Sequence, residues 1–152
     1  MATTGPALLE AGAQPPQSNM IGIGAMLKIL GGNQETVEAV GKSLGKTIRS
    51  VAVSGNSLDF VFTDGGTLSV WDDGQSCCEN RYMSTEDELG YFVGGNLLKL
   101  ELVDAPNIDG ADGGTHEVQF LDVHTSKGMF QVANHNEHNG YYGGFGIVAR
   151  AS

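Results

Sequence analysis

Two segments hold most of the side chains able to do chemistry, WDDGQSCCENRY (71–82) and HNEHNGYYGGF (135–145). Between them they carry Asp72, Asp73, Cys77, Cys78, Glu79, His135, Glu137 and His138. Thiolate, imidazole and carboxylate are the ligand types that bind zinc and other divalent metals. The spacing argues against an easy site. Cys77 and Cys78 are adjacent, so on a strand they face opposite sides, and His135 and His138 converge only if the chain between them turns like a helix. Cys77, Cys78, His135 and His138 stand as the metal-ligand candidates, and no cofactor is expected.

The same residues allow a second chemistry. A cysteine nucleophile needs a nearby base, and His135 or His138 is of the right type. Nothing in their order along the chain brings them together, and a buried cysteine acting as a small apolar residue is the commoner case. The acid pairs Asp72-Asp73 and Glu86-Asp87-Glu88 adjoin turn and helix-start signals, where acids usually cap backbone groups or face solvent. The run GIGAML (22–27) lacks the Lys-Ser/Thr of a phosphate-binding loop and has no strand before it. A non-enzymatic protein is therefore expected. The Asn139-Gly140 and Gly143-Gly144 pairs predict a tight loop over 135–144, which offers Tyr141, Tyr142 and Phe145 as rigid aromatic contacts for a partner.

The elements that must position these segments read as mainly β. From Thr47 the apolar period is two: TIRSVAVS and LDFVFT flank Gly55-Asn56 as a hairpin, and TLSVW follows Asp64-Gly65-Gly66. CCENRYM predicts a short strand, and Ser84-Thr85-Glu86-Asp87-Glu88 resembles a capped helix start, with the helix ending near Gly94-Gly95. Further strands are predicted at 97–103, in HEVQFLDVHTS and MFQVA on either side of a Lys127-Gly128 turn, and at 145–149, with a polar loop over 106–114. The sum is an α+β, mainly β fold. It consists of an antiparallel, sandwich-like domain of about seven or eight strands and one short helix. Its expected core is Ile48, Val51, Phe60, Phe62, Leu68, Val70, Leu98, Leu100, Leu102, Val118, Phe120, Val123, Phe130, Val132 and Ile147.

Before the β domain (45–150) lies a segment of different character (1–44). Residues 1–19 are rich in Ala, Pro, Gln and Gly, and Pro15-Pro16 favours an extended arm. Met20, Ile21, Ile23, Met26, Leu27 and Leu30 suit a short apolar helix stopped by Gly31-Gly32, and a second short helix is predicted over 34–43. Those six apolar residues are candidate attachment contacts.

The 152 residues fit one domain, and 40% apolar with 17% charged residues is the balance of a folded chain. A net charge of −10, with eight Lys+Arg scattered singly, provides no basic stripe for a phosphate backbone. Nucleic-acid partners are not expected. The opening residues lack the basic and apolar regions of a secretory signal, and no apolar run is long enough to span a bilayer, so mature, non-membrane sequence is expected. Neighbouring cysteines bond to each other only with strain, which favours a reducing or virion-like setting.

The runs GKTIRSV, WDDGQSCCENRYM, DAPNI and HNEHNGYYGGF together resemble an uncharacterised family of small domains found in bacteriophage and bacterial genomes. The resemblance spans about residues 45–147. It implies a context and no catalytic residue: a phage-encoded protein that joins the virion or acts in the host cytoplasm. The leading expectation is a non-enzymatic structural or assembly protein, a capsid-decorating component attached through its N-terminal arm. Its partners would be capsid or other virion subunits, or further copies of itself. The alternatives are a small protein that inhibits a host factor through residues 135–145, and a metal- or cysteine-dependent enzyme.

Overall fold

The computed structural model describes residues 34–74, 79–104, 108–109, 114–138 and 144–152. Helix α1 (Gln34–Ser43) leads into strands β1 (Ile48–Ser54), β2 (Ser57–Phe62), β3 (Thr67–Asp72) and β4 (Glu79–Ser84), and then a 3-10 turn (Leu89–Phe92). After it come β5 (Leu97–Asp104), β6 (Ile108–Asp109), β7 (Thr115–Thr125), β8 (Gly128–His138) and β9 (Ile147–Ala151). Among the described residues there are thus eight longer strands and a two-residue ninth. They form two antiparallel sheets, ordered β1-β2-β3-β9 and β4-β8-β7-β5, with β6 beside β7. The mainly β, antiparallel class expected from the alternation is the one observed. No helix among the described residues is long and apolar enough to cross a membrane.

Strict alternation builds the first sheet. Leu58, Phe60 and Phe62 of β2 and Leu68 and Val70 of β3 face inward, each at most 2% exposed. The β1–β2 connection is the two-residue turn Gly55-Asn56, where Gly55 takes φ +59°, a conformation that costs glycine little. Leu100, Leu102, Leu121, Val123, Phe130 and Val132 from the second sheet complete the same core, together with Ala39 and Val40 of α1. Each large side chain fully buried there contributes about 1.5–3 kcal/mol. The sheets meet at a corner, where Thr47 bridges Asn96 and Gly45, Lys46 and Ile48 exchange backbone hydrogen bonds with residues 94–97.

Helix α1 presents Thr36, Ala39, Val40 and Ser43 to the protein, the i, i+3, i+4, i+7 stripe of an amphipathic helix. It packs on β9, the edge of the first sheet, and the Thr36 hydroxyl accepts a hydrogen bond from the Ala149 backbone N–H at 3.1 Å.

Four local expectations are corrected. The run 84–88 does not open a helix, because its side chains are engaged with β8: Thr85 Oγ1 donates to the Gln131 carbonyl, and Asp87 Oδ2 accepts from the Gln131 N–H, each at 2.8 Å. Only the 3-10 turn 89–92 follows. Residues 135–138 do not belong to a loop: they extend β8, paired on one side with β4 and on the other with β7. Leu98 is 50% exposed because an irregularity between Leu97 and Lys99 shifts the alternation of β5. In β7 the inward phase is Gln119, Leu121 and Val123, which places Phe120 half-buried on the opposite, outer face; Val118 shares that face and is buried, as expected. The expected arm and its apolar residues Met20, Ile21, Ile23, Met26, Leu27 and Leu30 lie outside the described residues.

Candidate functional site

The two chemically rich segments meet because β4 and β8 are neighbouring antiparallel strands, with Glu79 opposite His138 and Tyr82 opposite His135. Alternation then sorts their side chains between two faces of one sheet. Asn134, Asn136 and Arg81 point inward, while His135, Glu137, Tyr82 and Ser84 lie on the outer face.

On the inner face the apolar core gives way to a buried ionic cluster. Arg81 Nη1 donates to both carboxylate oxygens of Asp72, at 3.0 and 2.9 Å, and to the Gly144 carbonyl at 3.0 Å. Its Nη2 donates to Glu79 Oε2 at 2.6 Å, and all three charged side chains are at most 4% exposed. Burial opposes the guanidinium's charge, yet the hydrogen bonds and charges of Glu79 and Asp72 outweigh it and raise the Arg81 pKa. Asp72 Oδ1 also accepts the Gly74 and Gly146 N–H groups, each at 3.0 Å, and Asn136 Nδ2 reaches the Gly144 carbonyl at 3.3 Å. The cluster therefore fastens Gly74, Gly144 and Gly146 to the body of the domain. Among the described residues, no hydrogen-bond partner reaches the buried amide atoms Asn134 Oδ1, Asn134 Nδ2 or Asn136 Oδ1.

The outer face carries a different arrangement. Ser84 Oγ lies 2.8 Å from His135 Nε2, and His135 Nδ1 lies 2.9 Å from His116 Nε2, a chain running diagonally across β4, β8 and β7. When the Ser84 hydroxyl donates to Nε2, His135 holds its proton on Nδ1 and donates it to His116. The Tyr82 ring stacks on the His135 imidazole, centroids 4.4 Å apart and planes 8° from parallel, and fixes its orientation. Tyr82 is held in turn by Glu137, which accepts from its hydroxyl at 2.5 Å. This hydrogen bond, with burial second, pushes the Tyr82 pKa up to about 12. Burial first and His116 second hold His135 below the ordinary imidazole value, and Glu137 offsets this in part. Burial and His116 thus both favour the uncharged imidazole of His135.

A groove of about 450 Å³ opens beside Ser84 and His135. Val118, Phe120 and Ala133 form its floor, and Ser84, Thr85, Glu86 and Asp87 form one wall, held along β8 by the hydrogen bonds to Gln131. The acids at this wall repel anions.

Of the metal-ligand candidates, His135 and His138 are not brought together. Three apart on a strand, they face opposite sides, and His138 pairs with Glu117 at 3.1 Å, whereas His135 meets His116. Cys77 and Cys78 lie outside the described residues, as do Tyr141 and Tyr142. Phe145 is half-buried and packs against the core. The described residues that converge closely enough to share an ion are Glu101, Asp122 and His124, whose ligand atoms lie within 4.8 Å of one another. Part of that set is already engaged, His124 with Glu101 at 3.2 Å and Asp122 with the Gln131 amide at 2.8 Å. Sequence reasoning missed His116 and Ser84. The available signal was the period of two that puts His116, Val118 and Phe120 on one face, but only strand pairing sets them beside Ala133 and His135.

Fold and site define a small antiparallel β domain with one packed helix, whose second sheet is polar-clustered within and grooved without. Residues 41–147 match the family described as a domain of unknown function (DUF7448), and the chain belongs to that family. No curated protein and no solved structure matches the chain.

Proposed function

We propose that this chain is a structural component of an assembly, and that its β domain works by presenting a binding face to a protein partner. The observation that supports this best is the division of labour across the second sheet. Arg81, Asp72 and Glu79 from the suspected segments are engaged with one another and with Gly74, Gly144 and Gly146, whereas the outer face leaves an apolar-floored groove open to a partner. Val103, 38% exposed, stands opposite Phe120 in the β5–β7 register and extends the apolar floor toward the β5 edge. A preformed, mostly apolar concavity with a few polar groups is the usual form of a specific contact site.

In its finer form the reading is a capsid-decorating or other virion component attached through residues 1–30, with the grooved face turned outward. The motif resemblance to phage-encoded domains supports it, as does the low-complexity composition of residues 1–19. Purified particles of the encoding phage should yield peptides of this chain in a fixed ratio to the major capsid protein. Absence of the chain from purified particles would remove the virion reading. The binding face has its own test, because Phe120→Asp and Val103→Asp should abolish partner capture while leaving the fold intact.

A further inference from the structure

We infer that Ser84, His135 and His116 form an acyl-transfer site: Ser84 is the nucleophile, His135 its general base and His116 the residue that positions the base. The inference gives the same groove a second use, at its Ser84 end, and does not depend on the binding role. It rests on three geometric facts that a cross-strand polar pair does not require together. The hydroxyl is exposed and 2.8 Å from the imidazole nitrogen that must take its proton. The other nitrogen of the same ring is 2.9 Å from a second imidazole, which selects the tautomer with Nε2 unprotonated when Ser84 donates. A groove large enough for a small ligand opens directly at Ser84 and His135. Nucleophile, base and orienting group within hydrogen-bond reach are the general signature of covalent catalysis, whatever the fold.

The step balances with water as the co-reactant. Ser84 Oγ bonds to the carbonyl carbon of an ester while its proton passes to His135 Nε2 and the carbonyl electron pair moves to oxygen. Collapse of that adduct breaks the bond to the alcohol, which departs with the proton from Nε2 and leaves an acylated Ser84. Water then attacks the acyl carbon, giving its proton to Nε2. The second collapse frees the carboxylic acid, and Ser84 takes the proton back. Throughout, His135 Nδ1–H donates to His116 Nε2, and the stacked Tyr82 ring keeps the imidazole plane in place.

The groove states the substrate class. Its floor of Val118, Phe120 and Ala133 accepts an apolar acyl or alkyl group, and Glu86 and Asp87 at its wall oppose carboxylates and phosphates. Small neutral or cationic esters fit; anionic ones do not.

The test uses the full chain with p-nitrophenyl butyrate and a fluorophosphonate probe. Mass spectrometry should find the probe on Ser84, and S84A should lose both labelling and turnover, the latter by about 100-fold or more. Because Ser84 is exposed, S84A keeps the fold, which circular dichroism verifies. H135Q should match S84A. H116Q should retain the label at a lower rate and move the acidic limb of the pH–rate profile upward, since His116 lowers the His135 pKa while Glu137 raises it. Ser84 left unlabelled at high probe concentration, or turnover that S84A retains, would overturn the assignment.

Discussion

Arg81 and Asp72 form a buried ion pair in which one guanidinium nitrogen touches both carboxylate oxygens, at 3.0 and 2.9 Å, across the gap between the two sheets. Asp72 ends β3 of the first sheet and Arg81 sits in β4 of the second, so the pair ties the sheets together where apolar packing runs out. Removing the cation takes away the charge that compensates the buried Asp72 carboxylate. Arg81→Met should therefore cost about 3–5 kcal/mol, measured as a lowered urea midpoint. A double variant, Arg81→Met with Asp72→Asn, should recover part of that loss; if it is no more stable than the single variant, the pair is not the cause.

Gly74 owes its identity to the same cluster. A Cβ there would lie 2.7 Å from Arg81 Nη1 and 2.8 Å from Cζ. Two carboxylates pin that guanidinium, so it cannot swing aside as a free surface side chain would. Gly74→Ala should destabilise by about 1–3 kcal/mol through overpacking. Gly41→Ala is the control, since an added Cβ meets nothing within 4 Å. Equal thermal midpoints for the two variants would contradict the argument.

Thr36 ties α1 to the sheet edge through the Ala149 N–H. Thr36→Val keeps the shape but removes the acceptor, and the unpaired backbone donor should cost about 1–3 kcal/mol. Hydrogen exchange should locate the change: the Ala149 amide loses protection before its neighbours in β9. Unchanged protection at Ala149 would show that the helix does not guard this edge.

His135 makes stability depend on pH. Its folded pKa lies below the unfolded value of 6.5, through burial first and His116 second, against a smaller upward pull from Glu137. The unfolded chain therefore binds a proton at higher pH than the folded one. Stability should fall as pH drops through 6.5 and level off below the folded pKa. Urea midpoints at neutral pH and at pH about 5 should differ more for the natural chain than for His135→Gln. Identical pH dependence in the two proteins would remove His135 as the source.

Tyr82 should ionise late. Its phenol, donating to Glu137, has a pKa of about 12, and Glu137→Gln should bring it back toward 10.0. Absorbance titration of the natural chain against Tyr82→Phe isolates this group among the four tyrosines. A Glu137→Gln titration that overlays the natural one would exclude the hydrogen bond as the cause.

The sequence by itself determined the antiparallel β class, the β1–β2 hairpin at Gly55-Asn56, helix α1 and most of the core. Each of these is written in neighbouring residues: a period of two, a turn pair, an amphipathic stripe. It also marked 71–82 and 135–145 as the chemically rich segments. Tertiary structure alone decided how their side chains divide. One residue of phase in β7 sends Leu121 inward and Phe120 out, and strand pairing puts Ser84, His135 and His116 in one line though they are 51 and 19 residues apart. Arg81 is buried because Asp72, from the other sheet, and Glu79 close around it. Local sequence fixes which residues alternate, but which face meets the core and which strand lies alongside are set by long-range pairing, and that free energy exists only once both sheets have closed.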